Sequence, residues 1–167
     1  MFLYQTWARP DLTYPAGAPY FGEPLETMGG EIRDSYALAA SQSGGIAGVA
    51  PVGEAFLRAV QEGVAIRNPY APEGDGVQLW WHEDWFHPAR HGSYLSALVL
   101  FGTLSGIDPS SFGGNERAAS ELGITPLEAM KLQRVAADQL RASGNTVDRL
   151  NCLHASPRAQ GQRPCSP

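Results

Sequence analysis

The sequence predicts an α/β protein with few, short, parallel strands and a mostly helical second half. Two short apolar runs of β-like composition alternate with helical patterns in the early part of the chain, which favours a parallel sheet. From Gly92 onward the apolar spacing is helical. Because two short strands make a poor sheet by themselves, the pattern is typical of part of a larger α/β domain.

The first predicted strand and helix lie before Gly44. Phe2–Trp7 is short, apolar and aromatic, which predicts a strand. Arg9–Gly22 is rich in Pro, Gly and Tyr, which predicts a loop. Glu23–Ser41 keeps helical spacing, and Pro24 suits the first turn of a helix. The predicted buried stripe of this helix consists of Leu25, Met28, Ile32, Tyr36 and Ala39.

A second strand and helix follow. Ile46–Ala50 predicts a short strand, and Pro51 begins a helix that Gly63 ends. The predicted buried stripe of this helix consists of Val52, Ala55, Phe56, Ala59 and Val60.

The remaining regular structure is predicted to be helical. Gly92–Leu104 is apolar nearly all round, which predicts a central, buried helix. Asn115–Leu122 predicts a short helix after a loop. Thr125 and Glu128 have the spacing of a capping box, which starts a last helix that ends near Arg141.

One domain is predicted over residues 1–143, followed by a largely disordered tail over residues 144–167. After Gly144 the chain loses its periodicity and is dominated by Ser, Pro, Gln and Arg. Cys152 and Cys165 lie in this tail. They could pair, but one tail disulfide would not hold a fold together, and we expect two free thiols.

Composition and charge exclude several classes of partner. The formal net charge is −5 and no long basic run is present, so binding to nucleic acid has no electrostatic support. No apolar run approaches the roughly 20 residues of a membrane span, and the first residues lack the features of a signal peptide. No pattern indicates a cofactor, and a small or neutral partner fits best.

The segment Leu79–Tyr94 carries the residues with the clearest chemistry. Asp84 and His87 are three residues apart, so the carboxylate can reach a ring nitrogen of the histidine. Such a pair fixes the tautomer and stabilises the imidazolium formed when the other nitrogen takes a proton. Pro88 restricts the backbone of His87. The spacing predicts a catalytic pair, and the alternative is a surface loop in which Asp84 only caps a turn.

A metal site is a further alternative for the histidines. His82-Glu83 resembles the start of a zinc-protease motif, which needs its second histidine four residues on. The next histidine, His87, is five residues on. His87 and His91 are four apart, but no third ligand is evident, so the pattern favours no metal.

Three of the four tryptophans lie within this segment, and the fourth, Trp7, lies near the start of the chain. Trp7 ends the first predicted strand, and Trp85 lies between the two residues of the pair. Because aromatic rings offer flat apolar faces to ligands, Trp7 and Trp85 are predicted substrate-binding residues, whereas Trp80 or Trp81 is expected to cover the edge of the core. We also expect the end of the first strand to bring two polar residues towards this site, Gln5 and Arg9.

The stretch D-W-F-H-P-A-R-H-G-S-Y-L-S-A-L-V-L-F-G-T-L-S-G-I-D-P resembles the last conserved block of SGNH/GDSL-type hydrolases. That block places Asp-x-x-His before a proline and a C-terminal helix, and Asp84 and His87 match it. Val49–Phe56 resembles the strand-to-helix step that precedes the block. Phe2–Arg9 resembles an interior strand with its active-site loop, so the likeness spans roughly residues 2–110.

The resemblance implies a three-layer α/β/α fold and hydrolysis of esters, often acyl or acetyl esters on sugars or lipids. It also implies that His87 acts as base and acid, that Asp84 orients it, and that a serine in a Gly-Asp-Ser block is the nucleophile. A glycine and an asparagine would help to form the oxyanion hole. The sequence contains no Gly-Asp-Ser and no Gly-x-Ser-x-Gly, and Asp34-Ser35 falls inside a predicted helix.

Three hypotheses remain open. The first is the C-terminal part of an SGNH-type ester hydrolase, inactive alone, whose partners would be a complementing N-terminal half and an ester-bearing carbohydrate or lipid. The second is a non-catalytic module that binds a partner chain or glycan through its sheet edge and tryptophans. The third is a truncated fragment without an independent function.

Overall fold

The computed structural model describes residues 1–148 and shows a mixed α/β structure, mostly helical, with a two-stranded parallel sheet. Strand β1 (Phe2–Tyr4) pairs with strand β2 (Gly48–Ala50), and the three residues of one strand lie opposite the three of the other in order. Both predicted strands are confirmed, although each is shorter than its apolar run.

Helices make up most of the regular structure in the described chain. The ends of the five helices predicted from the sequence agree with the structure to within two residues. A 3₁₀ turn at Pro109–Ser111 lies in a predicted loop. None of the helices within residues 1–148 is long and apolar enough to cross a membrane. The helices are α1 (Pro10–Thr13), α2 (Leu25–Gln42), α3 (Val52–Gln61), α4 (Arg90–Ser105), α5 (Arg117–Glu121) and α6 (Pro126–Ala142).

Helix α1 lies in a stretch predicted as a loop, and that prediction was wrong for its four residues. Pro10 opens the helix, where its fixed φ and missing N–H are tolerated. Asp11 lies in the first turn, where a negative charge is favourable. The Thr13 hydroxyl donates to the Arg9 carbonyl at 2.9 Å. These local bonds stabilise one helical turn in spite of the turn-rich composition.

Helix α3 lies in the centre of the core. All five residues of its predicted stripe, from Val52 to Val60, are buried, so that prediction is confirmed. The ring of Phe56 stacks on Trp7, with centroids 4.8 Å apart, and meets Trp80 edge-on at 6.0 Å. Helix α3 therefore connects the chain that leaves β1 with the segment that precedes α4.

Helices α2 and α4 are less buried than predicted. In α2, Leu25 and Met28 are buried as expected, but Ala39 is exposed. One stripe of α4 is buried, whereas Phe101 is 40% and Leu104 60% exposed, so the prediction of a helix buried all round was wrong. Helix α4 packs against α3 and α6, and the elements within residues 1–148 leave its other face uncovered.

The capping box at the start of α6 is confirmed. Thr125 Oγ1 accepts the Glu128 amide at 3.4 Å, and the Thr125 amide donates to a carboxylate oxygen of Glu128 at 2.8 Å. Reciprocal bonds of this kind satisfy donors that an uncapped helix start leaves unpaired. The first turn of α6 is therefore fixed beside α4.

The segment after α6 pairs with the turn that follows α4. The Asp148 amide donates to the Gly106 carbonyl at 2.9 Å, and the Asp108 amide donates to the Asp148 carbonyl at 2.8 Å. These bonds hold the beginning of the stretch predicted as a largely disordered tail. The rest of that prediction, over residues 149–167, lies outside the described residues, and so do both cysteines, Cys152 and Cys165.

A glycine permits the close contact between α3 and the chain that leaves β1. A Cβ built on Gly53 would lie 1.9 Å from the Thr6 carbonyl oxygen. A side chain at this position therefore cannot be accommodated without moving the backbone. Gly30 in α2 differs, because a Cβ there would meet only the Arg33 guanidinium, at 3.9 Å.

The substitution Gly53→Ala is expected to lower the free energy of unfolding by about 1–3 kcal/mol, because overpacking against backbone cannot be relieved by a side-chain rotation. The matched control Gly30→Ala should raise it by roughly 0.5–1 kcal/mol, because alanine favours the helix. Urea denaturation followed by circular dichroism measures both changes. Similar effects of the two substitutions would contradict the contact between Gly53 and Thr6.

Candidate active site

The loop Trp81–Pro88, which we call the Asp–His loop, lies beyond the carboxyl end of the sheet. Trp7 follows β1 by three residues, and its indole Nε1–H donates to the Phe86 carbonyl at 3.0 Å. The Trp7 ring is fixed in turn by its stacking on Phe56 of α3. Open parallel sheets bind ligands at this edge, so the fold places the loop where chemistry is expected.

Backbone hydrogen bonds close the Asp–His loop on itself. The Trp81 amide donates to the His87 carbonyl at 2.7 Å, and the Trp85 amide donates to the Trp81 carbonyl at 2.8 Å. Just after the loop, the Ala89 amide donates to the Leu79 carbonyl at 2.8 Å. The loop is thus tied at its neck and leads directly into α4, which limits the movement of its backbone.

The two residues predicted as a catalytic pair are in contact. His87 Nδ1 and Asp84 Oδ2 are 2.6 Å apart. The other carboxylate oxygen of Asp84 accepts the backbone amides of Phe86 at 2.8 Å and of His87 at 2.9 Å. The hydrogen bond from His87, followed by those from the backbone, lowers the pKa of Asp84 to about 2. Asp84 is therefore an ionised acceptor at neutral pH, held in place by three hydrogen bonds.

This geometry leaves one nitrogen of His87 for chemistry. Because the Asp84 carboxylate only accepts, it selects the ring form that carries its proton on Nδ1, and the lone pair then lies on Nε2. The His87 side chain is 60% exposed, and within residues 1–148 its Nε2 has no hydrogen-bond partner. A proton taken at Nε2 would give an imidazolium that Asp84 stabilises. The arrangement suits a general base and acid, and the catalytic role of the pair stays a prediction.

Phe86 is held from two sides next to the pair. Its carbonyl accepts the Trp7 hydrogen bond, and its ring lies under the Arg9 guanidinium, 3.8 Å from the central carbon. Arg9 is itself paired with Asp11 of α1, with Nη2 and Oδ2 2.5 Å apart. The Phe86 and His87 ring centroids are 4.5 Å apart. Arg9 thus lies near the site as expected, in contact with the Phe86 ring.

The two predicted substrate-binding tryptophans lie in different surroundings. Trp7 is only 9% exposed, because the core and the Asp–His loop cover most of its ring. Trp85 is partly exposed, has a positive φ of 53°, and its ring lies 5.7 Å from that of Tyr70. A bulky residue in this backbone region is strained, and such strain is concentrated at functional sites. Trp85, together with the exposed ring of Phe86, therefore offers aromatic surface close to Asp84 and His87.

Other residues singled out in the sequence lie apart from the pair. His82 is exposed on the Asp–His loop. His91 lies in the first turn of α4 as expected but is buried, with its Nε2 3.6 Å from Glu128 Oε1. Burial lowers the pKa of His91 and outweighs the opposing attraction of Glu128. The expectation for Gln5 was wrong, because it is buried and lines a separate cavity between α2 and α6.

Within residues 1–148, no group of three or more His, Cys, Asp or Glu side chains is arranged to hold a metal ion. Asp84 and His87 are the contacting carboxylate and imidazole on the Asp–His loop. Their contact suits proton transfer at His87 Nε2.

The aromatic surroundings of the site could be predicted only in part. Trp80 is 1% exposed and lies in the core, whereas Trp81 is 43% exposed. Tyr70 was missed, because it belongs to a turn-rich loop without periodicity. That loop is held against α1 by the Tyr14 hydroxyl, which donates to the Arg67 carbonyl at 3.0 Å. No local pattern in the sequence indicates such a contact between distant loops.

Comparison of the chain with protein-family models, with curated proteins and with solved structures gives no match. The function is therefore argued from the geometry of the Asp–His loop. The resemblance of the segment around Asp84 to SGNH/GDSL-type hydrolases stays a prediction.

The substitution Asp84→Asn should change which ring nitrogen of His87 carries the proton. A carboxylate accepts from Nδ1–H, whereas the asparagine amide can donate to Nδ1 and so favours the Nε2–H form. Long-range proton–nitrogen NMR of the histidine rings at about pH 8, where free histidine is neutral, distinguishes the two forms. His82 serves as the internal control. An unchanged tautomer of His87 would contradict the contact with Asp84.

At low pH, the structure of the Asp–His loop should change when Asp84 is protonated. The pKa of Asp84, about 2, is below the pKa of about 3.9 that an aspartate has in the unfolded chain. The contribution of Asp84 to the stability of the folded loop is therefore complete above the unfolded pKa and is lost as the pH falls through about 2. Below about pH 5, where a histidine is already protonated, the amide resonances of Phe86 and His87 should therefore keep their positions down to about pH 3 and then move. The Asp84→Asn protein should show no such step, and a transition of the wild type centred near the unfolded value would refute the shift.

Proposed function

We propose that this chain forms the histidine and acid part of an SGNH-type ester hydrolase. His87 is the general base and acid, and Asp84 orients it. The observation that carries the proposal is the 2.6 Å contact between His87 Nδ1 and Asp84 Oδ2, on a loop at the carboxyl end of a parallel sheet. The step from β2 into α3, and Pro88 followed by α4, add support because they agree with the resemblance.

In the proposed reaction, His87 Nε2 removes the proton from a serine hydroxyl while that oxygen attacks the carbonyl carbon of the ester. Asp84 stabilises the imidazolium that results. The imidazolium returns the proton to the leaving alkoxide as the ester C–O bond breaks, which leaves an acyl-serine. Water then repeats the sequence of proton transfers and releases the carboxylic acid and the free serine.

The nucleophile of this reaction would come from a complementing N-terminal half. The sequence contains no Gly-Asp-Ser block, and no hydroxyl within residues 1–148 is hydrogen-bonded to His87 Nε2. The loss of one oxyanion donor lowers kcat by on the order of 10²–10³-fold, and the loss of the serine lowers it by on the order of 10⁶-fold. We therefore expect the chain to have little esterase activity by itself.

The open side of the sheet supports the proposal that a complementing segment packs there. Parallel sheets are normally covered on both faces, but the side chains of β1 are only partly covered within residues 1–148, with Phe2 40% and Tyr4 38% exposed. The outer stripe of α4, with Phe101 and Leu104, is also exposed. A further strand beside β1, with its own helix, would add pairing to a two-stranded sheet that is too small alone.

An ester-bearing carbohydrate or lipid is the proposed class of substrate. Trp85 and Tyr70 form an aromatic surface beside Asp84 and His87, and flat aromatic surfaces pack against sugar rings or acyl chains. Trp7 is mostly buried, so we assign it first to holding Phe86, and its direct contact with substrate stays a prediction. The low charge content of the chain suits a neutral substrate.

A non-catalytic interaction module is the second candidate function, and the uncovered face of β1 favours it. An unpaired strand edge is a template for another chain. Sedimentation velocity of the purified chain discriminates between the candidates in part. Self-association that is abolished by a charged residue at Phe2 would favour the module, whereas a cooperative, stable monomer would remove the need for any partner chain.

The direct test of the esterase proposal is to read the DNA upstream of the Met1 codon and to express the longer protein that it encodes. We expect a Gly-Asp-Ser block after a predicted strand, in the same or an adjacent frame, and hydrolysis of p-nitrophenyl acetate. In the longer protein, His87→Ala should lower kcat by on the order of 10⁶-fold, because the base itself is lost. Asp84→Asn should lower it by about 10⁴-fold, because the wrong tautomer of His87 is then favoured.

The matched control is Glu83→Gln, which removes the same charge one residue away from Asp84 on an exposed part of the loop. It should leave kcat and KM unchanged. Unrelated sequence upstream would contradict the proposal, because no serine nucleophile would then be available to His87. Wild-type turnover in the His87→Ala protein, with the fold intact by circular dichroism, would reject the role of His87.

A further inference from the structure

The hydrogen bond to Asp84 does not by itself fix the orientation of the His87 ring. The His87 side chain is 60% exposed, and the hydrogen bond that its ring forms within residues 1–148 joins Nδ1 to Asp84 Oδ2. A ring held at one atom can still turn about that contact, and exposed side chains change rotamer within nanoseconds. A general base must be held to within about 0.5 Å and 10–20° of its productive geometry. Orientation of the free Nε2 therefore needs a second contact.

The ring of Phe86 supplies a second contact. The ring centroids of Phe86 and His87 are 4.5 Å apart, and the two planes are inclined by 47°. Aromatic pairs attract each other at centroid separations of about 4.5–7 Å, so this pair lies at the close end of that range. Phe86 is itself 37% exposed, however, and a ring that moves freely cannot hold its neighbour. The contact orients His87 only if another group holds the ring of Phe86.

Phe86 is held at three points, and one of them is its ring. Its amide donates to Asp84 Oδ1 at 2.8 Å, and its carbonyl accepts the Trp7 indole N–H at 3.0 Å. These two bonds fix the backbone but leave the side chain a choice of rotamers. The Arg9 guanidinium lies over the ring, with its central carbon 3.8 Å from the centroid. A cation at this distance from a ring face is attracted to it, so Arg9 is the group that holds the ring.

Arg9 is fixed in turn by helix α1. Its Nε donates to Asp11 Oδ1 at 3.1 Å, and its Nη2 lies 2.5 Å from Asp11 Oδ2. Two parallel bonds to one carboxylate set the plane of a guanidinium as well as its position. The side chains of Arg9 and Asp11 are 31% and 22% exposed, so both groups are partly shielded from water. The guanidinium is therefore positioned over Phe86 by the residues of the chain itself.

We propose that Phe86 is a positioning residue for His87 and that Arg9 holds Phe86 in that role. The contacts run from Asp11 through Arg9 and Phe86 to the imidazole, so helix α1 and the chain that leaves β1 set the orientation of the ring. Asp84 sets which nitrogen carries the proton, and Phe86 sets where the other nitrogen points. The importance of this orientation for catalysis rests on the proposed function. The orientation itself is a property of the chain and is measured without turnover.

The test measures the His87 rotamer in the full 167-residue chain by NMR, from the three-bond couplings that report its χ1 angle. We expect one rotamer to predominate in the wild type. Arg9→Gln and Phe86→Leu should each raise the population of the other rotamers by about two- to fivefold, the size expected for the loss of one cation–π or aromatic contact at an exposed site. Phe86→Tyr keeps the ring and should keep the single rotamer. Averaging in Phe86→Tyr as large as in Phe86→Leu would overturn the proposal.

The matched control is Arg33→Gln, which breaks another Arg–Asp pair, on an exposed face of α2. It should leave the His87 couplings unchanged, and averaging equal to that in Arg9→Gln would overturn the proposal. So would a single His87 rotamer in both Arg9→Gln and Phe86→Leu. The amide protons of Phe86 and His87 should exchange as slowly in Arg9→Gln as in the wild type, because their bonds to Asp84 do not involve Arg9. Faster exchange would contradict the proposal, because Arg9 would then hold the loop rather than the ring.

A kinetic measurement on the longer protein separates positioning from direct binding of substrate. Phe86→Leu should lower kcat several-fold with KM unchanged, because Phe86 acts through His87. A raised KM with unchanged kcat would mean that the Phe86 ring binds substrate and would reject the positioning role. If the upstream DNA encodes no serine block, the esterase proposal fails, and the His87 couplings still decide whether Phe86 orients the ring.

Discussion

The hydrogen bond from the Trp7 indole to the Phe86 carbonyl connects the sheet with the Asp–His loop, and the position of the candidate site depends on it. Trp7 is itself held by stacking on Phe56. Helix α3 can lie against the chain leaving β1 only because Gly53 has no side chain. A mostly buried indole N–H that lost this acceptor would be left without a hydrogen bond, so this contact fixes the loop at the carboxyl end of the sheet.

The pair of Asp84 and His87 depends much less on the rest of the fold. All three hydrogen bonds to the Asp84 carboxylate come from residues two or three positions on, so the contact forms within one turn of chain. This explains how a histidine oriented by a carboxylate can form in a chain whose sequence contains no serine block. The tertiary structure sets where the pair lies, and the local sequence sets how it is arranged.

The features that could be predicted from the sequence are those with local causes. The α3 stripe, the Thr125 capping box and the contact of Asp84 with His87 each arise from residues within about two turns of one another. The features that could not be predicted depend on distant neighbours. The outer face of α4 is exposed because no described element covers it, and Tyr70 reaches Trp85 only through the packing of two loops.

The central claim, that Trp7 anchors the Asp–His loop, is tested most directly by the hydrogen-exchange rate of the Trp7 indole N–H. Trp81 is the internal reference, because its ring is exposed in the same protein. The contact between Trp7 and Phe86 predicts that the Trp7 indole proton exchanges many times more slowly than that of Trp81. Equal exchange rates for the two indoles would contradict it.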